Sequence, residues 1–154
     1  MSESSRLYQD LVEEYGPANL FMDVDSLPLG EQFPEYIRKR IIACSVVLVV
    51  IGRSWLNSSK DGLRRIDDTQ DFVRREVCYA LENDKLIIPV LIENAALPDQ
   101  HELPDDIKLL SQRQALKLHY SYWDVDLRRL KQSLRLQRKG YHSKWSIAAF
   151  MLLL

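Results

Sequence analysis

Ser45-Val-Val-Leu-Val-Val-Ile-Gly52 decides the fold. Val46 to Ile51 is unbroken by any polar residue and is mostly β-branched, which favours a strand over a helix. A strand that does not alternate has no side for water. It is buried on both faces, as in a parallel sheet covered by helices. Leu86-Ile-Ile-Pro-Val-Leu-Ile92 is a second run of the same kind, and its Pro89 lacks an N–H. That predicts a position toward a sheet edge or a local distortion. Asn19-Leu-Phe-Met22 suits a short buried strand, and Gln114-Ala-Leu-Lys-Leu118 a last, half-exposed one.

Helical spacing fills the intervals. Leu7, Tyr8, Leu11, Val12 and Tyr15 recur three and four residues apart, with Ser4 or Ser5 as a cap and Gly16-Pro17 as a stop. Phe33, Tyr36, Ile37, Arg40 and Ile41 repeat the pattern. So do Phe72, Val73, Val77, Ala80 and Leu81, which predict a helix over 71–81 with those residues inward. Val125, Leu127, Leu130 and Leu134 predict a final helix over 124–136. Residues 53–69 read as a long polar loop holding Trp55. Strands alternating with helices argue for a parallel sheet with helices on both faces. Against that rule the chain opens on a helix, and no internal repeat is present.

The composition fits one domain: 154 residues, 46% hydrophobic and 28% charged. Net charge is −1 and the isoelectric point about 6.3, which gives no reason to expect nucleic acid as partner. Cys44 and Cys78 sit among apolar neighbours without metal-site or disulfide spacing. They read as buried free thiols in a reducing, cytoplasmic setting. His101, His119 and His142 lie far apart, so no metal is expected. GxGxxG and GxxxxGK[ST] patterns are absent, which leaves a Rossmann site and a P-loop unsupported. The central strand ends Val-Ile-Gly, without the aspartate of a phosphoacceptor receiver domain.

Met22-Asp-Val-Asp-Ser-Leu-Pro-Leu-Gly-Glu-Gln-Phe33 resembles the BB loop of Toll/interleukin-1 receptor (TIR) domains. The resemblance continues through Ser45–Gly52 with Trp55, Asp71-Phe-Val-Arg-Arg-Glu-Val-Cys-Tyr-Ala-Leu81, Ile88-Pro-Val-Leu91, Leu103-Pro-Asp-Asp106 and Tyr122-Trp-Asp124. It covers roughly residues 5–136 in order and spacing, in the style of bacterial and NAD-hydrolysing animal members. It implies a flavodoxin-like three-layer α/β sandwich with strand order 2-1-3-4-5.

Some members cleave NAD+ to nicotinamide and an ADP-ribose product when assembled. Others are non-catalytic modules that signal through TIR–TIR contacts. NAD+ is thus an implied substrate rather than a cofactor. In the cleaving members the key residue is a glutamate in an aromatic-Val-x-x-Glu pattern. Phe72-Val-Arg-Arg-Glu76 matches it and makes Glu76 the implied catalytic residue. From spacing alone, Glu76 reads as an ordinary solvated helix glutamate. Phe72 and Trp55 are the candidate substrate-binding aromatics, although Trp55 reads more readily as a hydrophobic plug beneath its loop. Asp25, Leu27, Pro28 and Gly30 are the candidate self-association residues, although Pro28 and Gly30 also suit a turn for purely conformational reasons.

The chain departs from the resemblance at both ends. The strand that opens TIR domains is missing before the first helix, and its place is central. A gap there would leave two ladders of backbone groups unpaired, at roughly 1–3 kcal/mol for each buried group. The expectation is a domain over 1–138 lacking its first strand, unstable as it stands. Two explanations are a start upstream of Met1 or a gene fragment. Residues 139–154 read as a basic linker and an apolar tail. Arg128, Arg129, Lys131, Arg135, Arg138, Lys139 and Lys144 precede Trp145–Leu154 as basic residues flank a membrane helix. The tail is shorter than the roughly 20 residues a span requires. It reads either as a truncated membrane helix that tethers the protein or as a tail that packs or frays.

Overall fold

Val46–Ile51 forms the strand its composition demands, and every one of its residues is buried. Its side chains divide by parity. Val47, Val49 and Ile51 join one apolar cluster with Ile37, Ile41, Val73 and Val77. Val46, Leu48 and Val50 join another with Leu7, Leu11, Leu130 and Leu134. The computed structural model describes residues 1–22, 30, 33–56, 59–60, 62–139 and 145–151.

The chain runs α1 (Glu3–Tyr15), β1 (Leu20–Met22), α2 (Phe33–Ala43), β2 (Val46–Ile51), β3 (Ser59–Lys60), β4 (Leu63–Arg64), α3 (Phe72–Glu82), β5 (Leu86–Leu91), β6 (Leu116–Lys117), α4 (Trp123–Lys139) and β7 (Ile147–Met151). Helices α2 and α3 cover one face of a five-stranded sheet, and α1 and α4 cover the other. The order is β1-β7-β2-β5-β6, parallel throughout. This is the doubly wound arrangement that the alternation predicts.

The tail's open readings narrow to one. Residues 147–151 pack within the domain, and they form neither half a membrane helix nor a frayed end. They make a strand in the middle of the sheet. Ile147, Ala148 and Ala149 pair in register with Leu20, Phe21 and Met22 on one side. Ile147 to Met151 pair with Val46 to Val50 on the other. The slot expected to stand empty is filled from the opposite end of the chain, and neither neighbour is left with an open ladder. Small side chains let β7 sit between the layers: Ile147, Ala148 and Ala149 are fully buried. The basic residues upstream lie along α4. Arg128, Arg129, Arg135, Arg138 and Lys139 are exposed there, and Lys131 pairs with Glu14 at 3.5 Å. Lys144 is outside the described residues. Arg138 lies 5.5 Å from the Trp145 ring centre, and Trp145 packs on Tyr15 at 5.3 Å. Among the described residues no helix is long and apolar enough to cross a membrane.

Other expectations shift by smaller amounts. Ser2, rather than Ser4 or Ser5, caps α1, its hydroxyl accepting from the Ser5 N–H. The loop over 53–69 contains the β3–β4 hairpin and a 3₁₀ turn, Arg65–Asp67. The last strand shortens to Leu116–Lys117 because only Val90 and Leu91 offer it partners. Pro89 is tolerated for the same reason. The carbonyl of Leu91 accepts from Leu118, so odd-numbered positions of β5 face β6. Pro89 therefore turns its nitrogen to that side, just short of where pairing begins. Phe72 and Val125, expected inside, are 46% and 54% exposed. Phe72 shares a helical face with Arg75 and Tyr79, and Val125 with the exposed Arg128, Arg129 and Gln132, rather than with the buried stripe of its helix.

Replacing Ala148 or Ala149 by aspartate buries a charge between two parallel neighbours. We expect a loss of at least about 3 kcal/mol, a large part of a domain's usual stability of about 5–15 kcal/mol. Urea unfolding checks it; a shift below about 0.5 kcal/mol, the level of a surface position, would show that β7 is not part of the sheet.

Candidate functional site

Helix α3 is fixed at its start by polar contacts of Asp71 and Arg74. Asp71 caps it by accepting from the Arg74 N–H at 3.1 Å, and it pairs with Arg65 at 3.4 Å. The Arg74 guanidinium donates to the carbonyls of Ile66 and Asp67 at 3.2 and 3.0 Å and to Asp106 at 3.1 Å. One arginine thus joins α3 to the 3₁₀ turn before it and to the helical segment Asp105–Gln112. Val73, Val77 and Ala80 bury the inner face.

Glu76 shares that pinned stretch. It is 3% exposed, so it is not a solvated helix glutamate. It lines a cleft of about 240 Å³ between α2 and α3, with Arg38 and Ile41 opposite and Phe72, Arg75 and Tyr79 along its own helix. Positions 72, 75, 76 and 79 follow the three- and four-residue spacing that puts side chains on one helical face. The structure therefore brings Glu76 and Phe72 together. Trp55 is elsewhere. It is 3% exposed within the core cluster that contains Ile66 and Val73, it does not line the cleft, and its buried indole N–H has no partner among the described residues. That is the plug arrangement. Asp25, Leu27 and Pro28 lie outside the described residues. Gly30 is described, exposed, at φ 85°, in the left-handed region that glycine enters freely.

Arg38, Arg75 and Tyr79 also line the cleft, and none of them is among the candidate site residues of the sequence. The helical period could have supplied Arg75 and Tyr79. Nothing local could supply Arg38, which reaches the cleft from another helix. Among the described residues no group of three or more His, Cys, Asp and Glu side chains could hold a metal.

The sequence model of the TIR domain family matches residues 3–132. The chain belongs to the TIR domain family. This TIR domain is 29% identical over 107 residues to the "NAD(+) hydrolase tir-1" of Caenorhabditis elegans, which is 69% of the chain and 10% of that protein. It is 26% identical over 120 residues to the "NAD(+) hydrolase sarm1" of Drosophila melanogaster, 76% of the chain and 8% of that protein. The TIR domain thus spans a tenth or less of either relative. The TIR domains in the structure of the activated Roq1 resistosome directly recognizing the pathogen effector XopQ superpose with a TM-score of 0.60 at 13% identity. That match covers 87% of this chain and 89% of the other, and it establishes the flavodoxin-like TIR fold.

Cys78 also lines the cleft, and its thiol is pushed up to about 11. Burial is the main cause, followed by the hydrogen bond it donates to Glu82 at 3.5 Å and by the negative charge of Glu82 and Asp106, with Arg74 opposing. The raised value disfavours the thiolate, which is the reactive form. Iodoacetamide should therefore alkylate native Cys78 about a hundredfold more slowly at pH 8 than the same cysteine in the unfolded chain. The rate should keep climbing toward pH 11 rather than level off near 9. Peptide mapping of the alkylated site measures it, and equal native and unfolded rates would contradict the environment described.

Proposed function

We propose that this TIR domain acts in signalling or defence by cleaving NAD+ to nicotinamide and an ADP-ribose product, with Glu76 as the catalytic residue. The observation that carries the reading is a nearly inaccessible carboxylate lining a cleft on a helix whose start is held by Asp71 and Arg74. The two relatives named NAD(+) hydrolases support it.

The chemistry suits one carboxylate. Breaking the bond between nicotinamide and ribose leaves positive, oxocarbenium-like character on the sugar. A fixed anion beside the ribose stabilises that charge and holds the hydroxyls. Nicotinamide enters as a cation and departs neutral, so no general acid is needed. Phe72, half exposed beside the cleft, offers an aromatic surface to the ligand.

The cleft's size bears on assembly. At about 240 Å³ it is smaller than the roughly 300–1,000 Å³ usual for sites that enclose a small molecule. It can seat the ribosyl–nicotinamide part of a dinucleotide, but further walls are needed around the rest. We assign that role to homotypic assembly with other TIR domains, through Asp25, Leu27, Pro28 and Gly30. The same observation favours a second reading, a non-catalytic TIR–TIR module in signal transduction. The free thiols Cys44 and Cys78 support a cytoplasmic setting.

Glu76→Gln keeps the shape and removes the charge. It should lower nicotinamide release from NAD+ at least about a hundredfold, the scale of a lost electrostatic stabiliser, with the unfolding midpoint little changed. Nicotinamide is quantified by chromatography from concentrated, assembled protein. A variant as active as the parent would remove Glu76 from the chemistry, and an inert but folded parent would leave the interaction module.

A further inference from the structure

Adjacent arginines at the start of α3 have different tasks. Arg74 belongs to the fold: its guanidinium is engaged by Ile66, Asp67 and Asp106, and its side chain is 11% exposed. Arg75 lines the cleft and lies 6.0 Å from the Phe72 ring centre. Arg38 lines it from α2, 5.6 Å from the Tyr79 ring centre. Along α3 the two cations bracket Glu76: Arg75 is its neighbour, and Tyr79 beneath Arg38 is one turn beyond. Neither arginine forms an ion pair with a carboxylate among the described residues.

The other acids of the cleft do not cancel them. Asp106 is neutralised by Arg74 at 3.1 Å. Glu82 is two helical turns from Arg75, about 10 Å along the axis, and accepts from the Cys78 thiol. A guanidinium over a ring keeps its edge N–H groups available. Its planar fork matches a phosphate with two parallel hydrogen bonds, which a lysine cannot do. A sugar or a bare nicotinamide has no use for such a pair, whereas a diphosphate bridge does.

We infer that Arg75, assisted by Arg38, is the phosphate-binding element of the Glu76 cleft and makes it selective for diphosphate-bearing nucleotides. This rests on the NAD+ reading of the cleft, so the test needs one arm that requires turnover and one that does not. The full chain and its Arg75→Gln and Arg38→Gln variants are assayed for nicotinamide release from NAD+ and from nicotinamide riboside, which has the same scissile bond and no phosphate. Binding of ADP-ribose is measured by calorimetry on the same proteins.

Arg75→Gln should raise KM for NAD+ and weaken ADP-ribose binding at least about tenfold, the worth of one charge-assisted contact, with kcat changed less than about threefold. The preference for NAD+ over the riboside, as a ratio of kcat/KM, should fall by the same factor. Arg38→Gln, at the exposed rim, should show the same pattern at about threefold. If none of the proteins releases nicotinamide yet Arg75→Gln weakens ADP-ribose binding, the phosphate assignment stands and the cleavage reading falls. ADP-ribose binding the parent and Arg75→Gln equally, or not binding the parent, overturns the assignment. So does a loss of kcat alone, or an equal loss for the riboside, because Arg75 would then act by placing Glu76.

Discussion

The insertion of Ile147–Met151 between β1 and β2 is the constraint on which the rest of the molecule depends. Without β7, no ladder among the described residues joins the β1–α2 unit to β2, because there both pair only with this strand on that side. The two faces of the sheet have the same need. Ala148 belongs to the cluster under α2 and α3, and Ile147 and Ala149 to the cluster under α1 and α4. One five-residue segment therefore closes both hydrophobic layers. It brings α2, and with it Arg38, into register with α3.

Polar interactions then set the site within that frame. Asp71, Arg74 and Glu76 divide three tasks over about one and a half turns of helix. Asp71 satisfies the open N–H groups at the helix start, Arg74 ties the helix to two neighbouring segments, and Glu76 is presented to the cleft. A side chain anchored through a rigid helix is held more narrowly than one on a loop, which is what stabilising a developing charge requires. Lys85 does similar work at the far end, donating to the carbonyls of Ile42 and Cys44 and so fastening the end of α2 beside β5.

Much of this was legible in the residues. The β-branched enrichment of the apolar runs at 46–51 and 86–91 marks them as buried strands, and the spacing of Val73, Val77 and Ala80 marks a helix with one inner face. The tail's readings stay open in the sequence because a buried parallel strand and half a membrane helix share one local signature, an apolar stretch without alternation. What separates them is a partner about a hundred positions away, and no local pattern encodes it. Glu76 stood out only through the family pattern, since nothing in Phe72-Val-Arg-Arg-Glu76 says that its fifth residue faces a cleft rather than water. Arg38 was invisible for the reason that hid the tail's place, a contact made between distant segments.

A central strand that follows every other described strand and helix of the domain also dictates an order of events. During synthesis every other element of the domain exists before β7 does, so β1 and β2 wait with open edges while α1 through α4 are already made. Such edges invite pairing with other chains. Closure joins positions about a hundred residues apart, the kind of contact that slows folding. The nascent domain thus passes through a stage in which its interior is a vacant groove, shaped for one short apolar peptide, and it becomes a continuous sheet only when residues 147–151 arrive.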